Sequence, residues 1–146
     1  MAIWVSSLFR AEEVAQIRAP WKVASLLAPD DDFPDFSQFV PADAHLKLAM
    51  DDIDEDLGDG FVAPSKLHIQ RLLDFVSDWN PTDGPLLVHC LAGVSRSTAA
   101  AFIIACAMNP GVDESDIAAL LRQISPGASP NQRLVELADD QLSRRG

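Results

Sequence analysis

Leu86-Leu87-Val88-His89-Cys90-Leu91-Ala92-Gly93-Val94-Ser95-Arg96-Ser97 joins an apolar run to a short polar turn, and residues 98–108 continue it as an apolar segment of helical length. A strand that ends in a tight loop and opens directly onto a helix forms a cradle for an anion. Backbone N–H groups point into the cradle, and the helix dipole favours negative charge there. A fully apolar strand belongs at the centre of a sheet, buried on both faces. The stretch therefore predicts an α/β architecture before the rest of the chain is read.

Upstream, residues 3–8 read as a strand and 12–18 as a short helix closed by Pro20. Residues 22–27 and 46–50 read as two further strands. The Pro- and Asp-rich segment 29–44 between them reads as a loop. Ile69, Leu72, Leu73, Val76 and Trp79 recur at helical spacing, predicting an amphipathic helix over 65–79. Residues 80–85 carry turn residues. The segment 97–108 is apolar on nearly every face, so a buried helix is expected. Residues 113–124 read as a helix capped by Asp113. Ser129-Pro130-Asn131-Gln132 fits a capping box with proline at the first helical position, opening a last helix to about residue 142. Together these predict a central sheet of about four to five mostly parallel strands flanked by helices. At 146 residues, a single domain spanning 1–146 is expected.

Composition narrows the function. The chain carries 22 acidic and 11 basic residues, a net charge of −11. That balance disfavours nucleic acid and anionic membrane as partners. Residues 1–10 lack a basic start and a long apolar stretch, so no signal peptide is expected, and the longest apolar run is too short to span a bilayer. A cytoplasmic location is expected. Cys90 and Cys106 are the two cysteines, and Cys106 lies nine helical steps past Ser97, roughly 13 Å at 1.5 Å per residue. No disulfide is expected, and Cys106 reads as a small buried hydrophobe.

The chemistry follows from Cys90 and Arg96. A free thiol titrates near pH ~8.5. Loop N–H groups, the helix N-terminus, Arg96 and the Ser97 hydroxyl all interact better with the thiolate than with the thiol. A phosphate monoester in the same cradle would receive paired charge-assisted hydrogen bonds from Arg96. Gly93 allows the tight turn and the close backbone approach.

His89-Cys90, five residues, then Arg96-Ser97 resembles the signature of the cysteine-dependent protein tyrosine phosphatase superfamily, and the small size resembles its dual-specificity-like branch. The strand and acidic turn at 48–52, the helix to Trp79, and Ser125-Pro126 with Pro130-Asn131 fall in the family's order. The resemblance implies a two-step hydrolysis: Cys90 attacks phosphorus, and water then cleaves the phosphocysteine, without a metal or other cofactor. It implies phosphate binding by Leu91, Ala92, Gly93, Val94, Ser95 and Arg96. It also implies an aspartate at the end of the upstream strand as general acid. Asp52 takes that place as the second of paired acids, with Asp51 and Asp54 as alternatives. His89 is expected to orient the loop, and Ser97 to assist departure of the sulfur or to cap the helix. Ser95 is assigned loop structure and Asn131 a structural role. The expected substrate is a phosphorylated protein or a small phosphomonoester. A phosphoinositide phosphatase is less expected, because residues 91–95 contain no basic side chain. A phosphopeptide-binding protein without activity is a further alternative.

Two other readings are set aside. Asp52, Asp54 and Asp56 share the first spacings of an EF-hand calcium loop, but Leu57 and Ala63 stand where glycine and glutamate are required. His45 and His68 have no partners at ligand spacing. Trp4, Trp21 and Trp79 are expected in the core.

Overall fold

The computed structural model describes residues 2–144. Four strands, β1 (Ile3–Ser7), β2 (Lys22–Leu27), β3 (His45–Ala49) and β4 (Leu86–Cys90), form one sheet in the order β1-β4-β2-β3. All three pairings are parallel. Every strand therefore points the same way, and the loops that follow β2, β3 and β4 gather at one end of the sheet. β4 is buried along its whole length, as its apolar run predicts.

Side-chain alternation divides the core in two. Ala24, Leu26, Leu48, Leu86 and Val88 face three helices: α2 (Lys66–Val76), α3 (Arg96–Met108) and α5 (Gln132–Leu142). Val23 and Leu87 face the other way, toward α1 (Leu8–Arg18) and the inward residues Phe36, Val40 and Ala44 of the long loop. α4 (Glu114–Ile124) lies beside α3, capped by Asp113, whose carboxylate accepts the Ser115 N–H at 2.8 Å. The loop that reads as merely Pro- and Asp-rich thus supplies a fully buried phenyl ring and closes one face of the sheet.

Several boundaries differ from the sequence reading. α1 begins at Leu8, four residues before the expected start, because the Leu8 N–H donates to Leu91 O (3.0 Å) and β1 passes straight into the helix. α1 ends at Ala19 in the left-handed region (φ 47°), just before Pro20. α2 starts after Ser65, which caps it reciprocally with His68: Ser65 Oγ accepts from the His68 N–H, and His68 Nδ1 accepts from the Ser65 N–H. α2 stops before Trp79, whose buried indole instead donates to Gly84 O at 2.9 Å. The cap of α5 is Asn131 rather than Ser129, with Asn131 Oδ1 accepting the Leu134 N–H at 3.0 Å. Trp21 lies 41% exposed instead of in the core. Trp4 is half-buried, with the Arg18 guanidinium 3.9 Å from its ring centre. Both cysteines are free and buried. Among the described residues, no helix is long and apolar enough to cross a membrane.

Candidate active site

β4 delivers Cys90 to the C-terminal end of the sheet, and α3 starts six residues later at Arg96. The intervening loop is held from outside by its carbonyls. Leu91 O accepts from the Leu8 N–H, Val94 O from the Ser129 N–H (2.9 Å), and Ser95 O from the Asn131 N–H (3.1 Å). With its carbonyls engaged outward, the loop turns amides toward its own centre. The Gly93 N–H donates to Cys90 Sγ at 3.3 Å. Gly93 has φ +75°, and a Cβ there would lie 2.7 Å from Ser6 C and Ser7 N. The turn therefore requires glycine twice over, for its dihedral and for the approach of β1.

Cys90 Sγ lies 3.1 Å from Ser97 Oγ, and both residues are buried. Burial is the largest influence on the thiol and opposes ionisation. The Ser97 hydroxyl and the N–H groups of Ser97, Gly93 and Val94 together outweigh it, so the Cys90 pKa lies below the ordinary thiol value. Ser97 does not cap α3; it is the second residue of the helix and its hydroxyl meets the sulfur.

Arg96 is only 5% exposed. Its Nη1 donates to Met50 O at 2.9 Å, which fixes the guanidinium against the end of β3. Its Nε is buried and has no hydrogen-bond partner among the described residues. An unpaired buried donor on a cation is costly unless an acceptor meets it. Arg96 thus keeps one donor that no described residue engages.

His89 is fully buried. Its Nε2 lies 2.6 Å from Ser25 Oγ, its Nδ1 lies 3.3 Å from Cys90 O, and its ring packs on Phe36. Burial pushes its pKa down to about 4, so the ring is neutral at neutral pH. If Nδ1–H donates to Cys90 O, Nε2 accepts from the Ser25 hydroxyl. Ser25 Oγ then accepts from His45 Nε2, 2.8 Å away. The chain His45–Ser25–His89 thus braces the backbone of the nucleophile. Sequence reasoning missed Ser25; its signal was a lone hydroxyl within an otherwise apolar stretch of β2.

The acidic segment after β3 meets the loop through Asp52. Its Oδ1 accepts from Ser95 Oγ (2.7 Å) and from Asn131 Nδ2 (2.9 Å). Asn131 Nδ2 also donates to Ile53 O at 3.1 Å. Ser95 is therefore more than loop structure, and Asn131 ties three segments together besides capping α5. Asp51 is committed elsewhere, its Oδ2 accepting the Val62 N–H at 2.7 Å. Asp54 is exposed. His68 closes the start of α2 and bonds Ala49 O through Nε2 (2.9 Å), away from the thiol. No three His, Cys, Asp or Glu side chains gather as a metal-binding group among the described residues.

Comparisons with known proteins agree with this geometry. Residues 58–127 match the family model Protein-tyrosine phosphatase. Dual specificity protein phosphatase PPS1 of Saccharomyces cerevisiae is 46% identical over 43 residues, which are 30% of this chain and 5% of that protein's length. The human tyrosine phosphatase-like serine/threonine/tyrosine-interacting protein shares the fold at a TM-score of 0.75 and 18% identity, covering 99% of this chain and 93% of that one. DUSP15 does so at 0.68 and 20% identity, covering 99% and 92%. The family match thus spans α2, β4, the loop after it and α3, and the solved structures share the fold over nearly the whole chain.

Proposed function

We propose that this single domain is a phosphomonoester hydrolase, a protein tyrosine or dual-specificity phosphatase that works through a phosphocysteine intermediate. The observation that carries the reading is the pairing at one loop of a thiol stabilised toward its anion with a buried guanidinium that has an unmet donor. The phosphate oxygens accept from the amides of Leu91 to Arg96 and from the Arg96 guanidinium. Cys90 Sγ attacks phosphorus. The P–O bond to the leaving group breaks, and a proton passes from Asp52 to the leaving oxygen. Asp52 suits this role because Ser95 and Asn131 hold its Oδ1 and leave Oδ2 to carry the proton. In the second step the ionised Asp52 takes a proton from water as that water attacks phosphorus. The S–P bond breaks, and the Ser97 hydroxyl donates to the departing thiolate. His89 acts through the Cys90 backbone as a positioning residue. No step calls on a metal or an organic cofactor. The thiol must stay reduced for this chemistry, which supports a reducing compartment such as the cytoplasm.

Hydrolysis of para-nitrophenyl phosphate by wild type and Cys90→Ser, with a chelator present, tests the reading. Activity that persists with the chelator and is lost in the variant is expected. Undiminished turnover by folded Cys90→Ser would overturn it.

A further inference from the structure

The phosphate loop is flanked by two segments that carry negative charge and no positive charge. Because all the strands run parallel, the segments after β2 and β3 lie at the same end of the sheet as the loop after β4. Residues 28–36 contain Asp30, Asp31, Asp32 and Asp35, and residues 50–65 contain Asp51, Asp52, Asp54, Glu55, Asp56 and Asp59. Neither segment has a lysine or an arginine. Of these acids only Asp31 and Asp51 are partly covered; the rest are exposed. The second segment is anchored to the loop by the contact of Asp52 with Ser95. It also meets the buried guanidinium, since Arg96, with its unpartnered Nε, donates to Met50 O immediately before Asp51. The Arg96 guanidinium therefore sits beside two acidic segments, the second bordered by Lys66 and touched by Arg133, whose Nε donates to Pro64 O at 2.6 Å. The surroundings are apolar as well: Leu91 is 41% exposed, Val94 38%, Leu57 46% and Phe61 52%.

A bare phosphate ester, doubly negative, is repelled by such segments on its way to the loop. A phosphate carried by a chain with lysine or arginine next to the modified residue is drawn toward it. We infer that the substrate is a phosphorylated protein segment whose phosphoresidue is flanked by basic side chains. The inference rests on the phosphatase reading above and names its substrate class. An anionic lipid surface would face the same acidic segments and be repelled.

The repulsion of the bare ester and the attraction of the basic segment respond oppositely to salt in rate. Added salt screens these acids over about 10 Å at ~0.1 M. It should speed hydrolysis of para-nitrophenyl phosphate and slow hydrolysis of a basic phosphopeptide. The test compares two phosphotyrosine peptides of equal length, one with arginines on both sides and one with glutamates, across a salt series. kcat/KM for the basic peptide should exceed that for the acidic one by about tenfold at low salt, with the gap closing as salt rises. The combined variant Asp30→Asn, Asp32→Asn, Glu55→Gln, Asp59→Asn should lose most of that preference and still hydrolyse para-nitrophenyl phosphate at least as fast as wild type. Equal rates on the two peptides at low salt, with para-nitrophenyl phosphate turned over, would overturn the inference and leave the phosphatase reading standing. So would faster turnover of a phosphoinositide in vesicles than of either peptide. No turnover of any of these by folded protein would overturn the phosphatase reading itself.

Discussion

Replacing Ser97 by alanine removes one hydroxyl from the sulfur and almost nothing else. Ser97 is fully buried, and its Oγ lies 3.1 Å from Cys90 Sγ. A hydrogen bond to a charged group is worth about 1.5 kcal/mol or more. That corresponds to about a tenfold loss of thiolate at any pH below the thiol midpoint. The loss is not total, because the N–H groups of Ser97, Gly93 and Val94 still favour the anion. The assay is the rate of Cys90 alkylation by iodoacetamide against pH. The expected result is a midpoint displaced upward and about tenfold slower alkylation at neutral pH, with the thermal midpoint nearly kept. Phosphocysteine breakdown should slow as well, so labelled intermediate should accumulate. Stability gives an independent check. The folded thiol ionises below the unfolded one, so its contribution to stability is fully present above the unfolded value of ~8.5 and disappears as pH falls through the folded value. The stability deficit of Ser97→Ala should therefore be larger at alkaline than at acid pH. An unchanged alkylation midpoint in well-folded Ser97→Ala would refute the claim that this hydroxyl holds the thiolate.

Gly93→Ala should lower stability by about 2–4 kcal/mol by denaturant titration, since it combines a left-handed dihedral with a backbone clash, and should abolish turnover; a near-native midpoint would contradict the packing described. Asp52→Asn should depress turnover of esters with poor leaving groups far more than of activated aryl phosphates. The same pattern from Asp51→Asn or Asp54→Asn, and not from Asp52→Asn, would move the acid assignment. His89 and His45 are both pushed down to about 4, chiefly by burial. The unfolded chain therefore binds more protons between about pH 6.5 and 4, and stability should fall as pH drops through that window, by on the order of 3 kcal/mol for His89 alone. Urea midpoints measured across the window should lose much of their slope in His89→Gln, and an equal slope in that variant would reject the assignment.

What the sequence disclosed and what it withheld divide along the range of the interactions. The loop from Cys90 to Arg96, the buried strand before it and the apolar helix behind it were legible because each is a local pattern. The same holds for the Asp113 cap and the pairing of strands with helices. The start of α1 was not legible, because Leu8 turns only when its N–H meets Leu91 O, a residue distant in sequence. The link from Asp52 to Ser95 and Asn131 spans three segments that no periodicity relates. Phe36 sits in a loop of turn formers, yet it is buried against His45 and His89. The cap of α5 moved from Ser129 to Asn131 because the Ser129 N–H is drawn to Val94 O, which keeps the segment extended through Pro130. In each case a long-range hydrogen bond or ring contact overrode a local preference.

If Cys90 carries the phosphoryl group, a covalent intermediate forms on it during turnover. A millisecond mix of enzyme with a phosphorus-labelled aryl phosphate, quenched in acid and mapped by peptide, tests it directly. The expected result is a label on the peptide containing Cys90, rising toward one per chain and discharged by hydrolysis in wild type. Steady turnover with no label on the Cys90 peptide, or label on another residue, would contradict it.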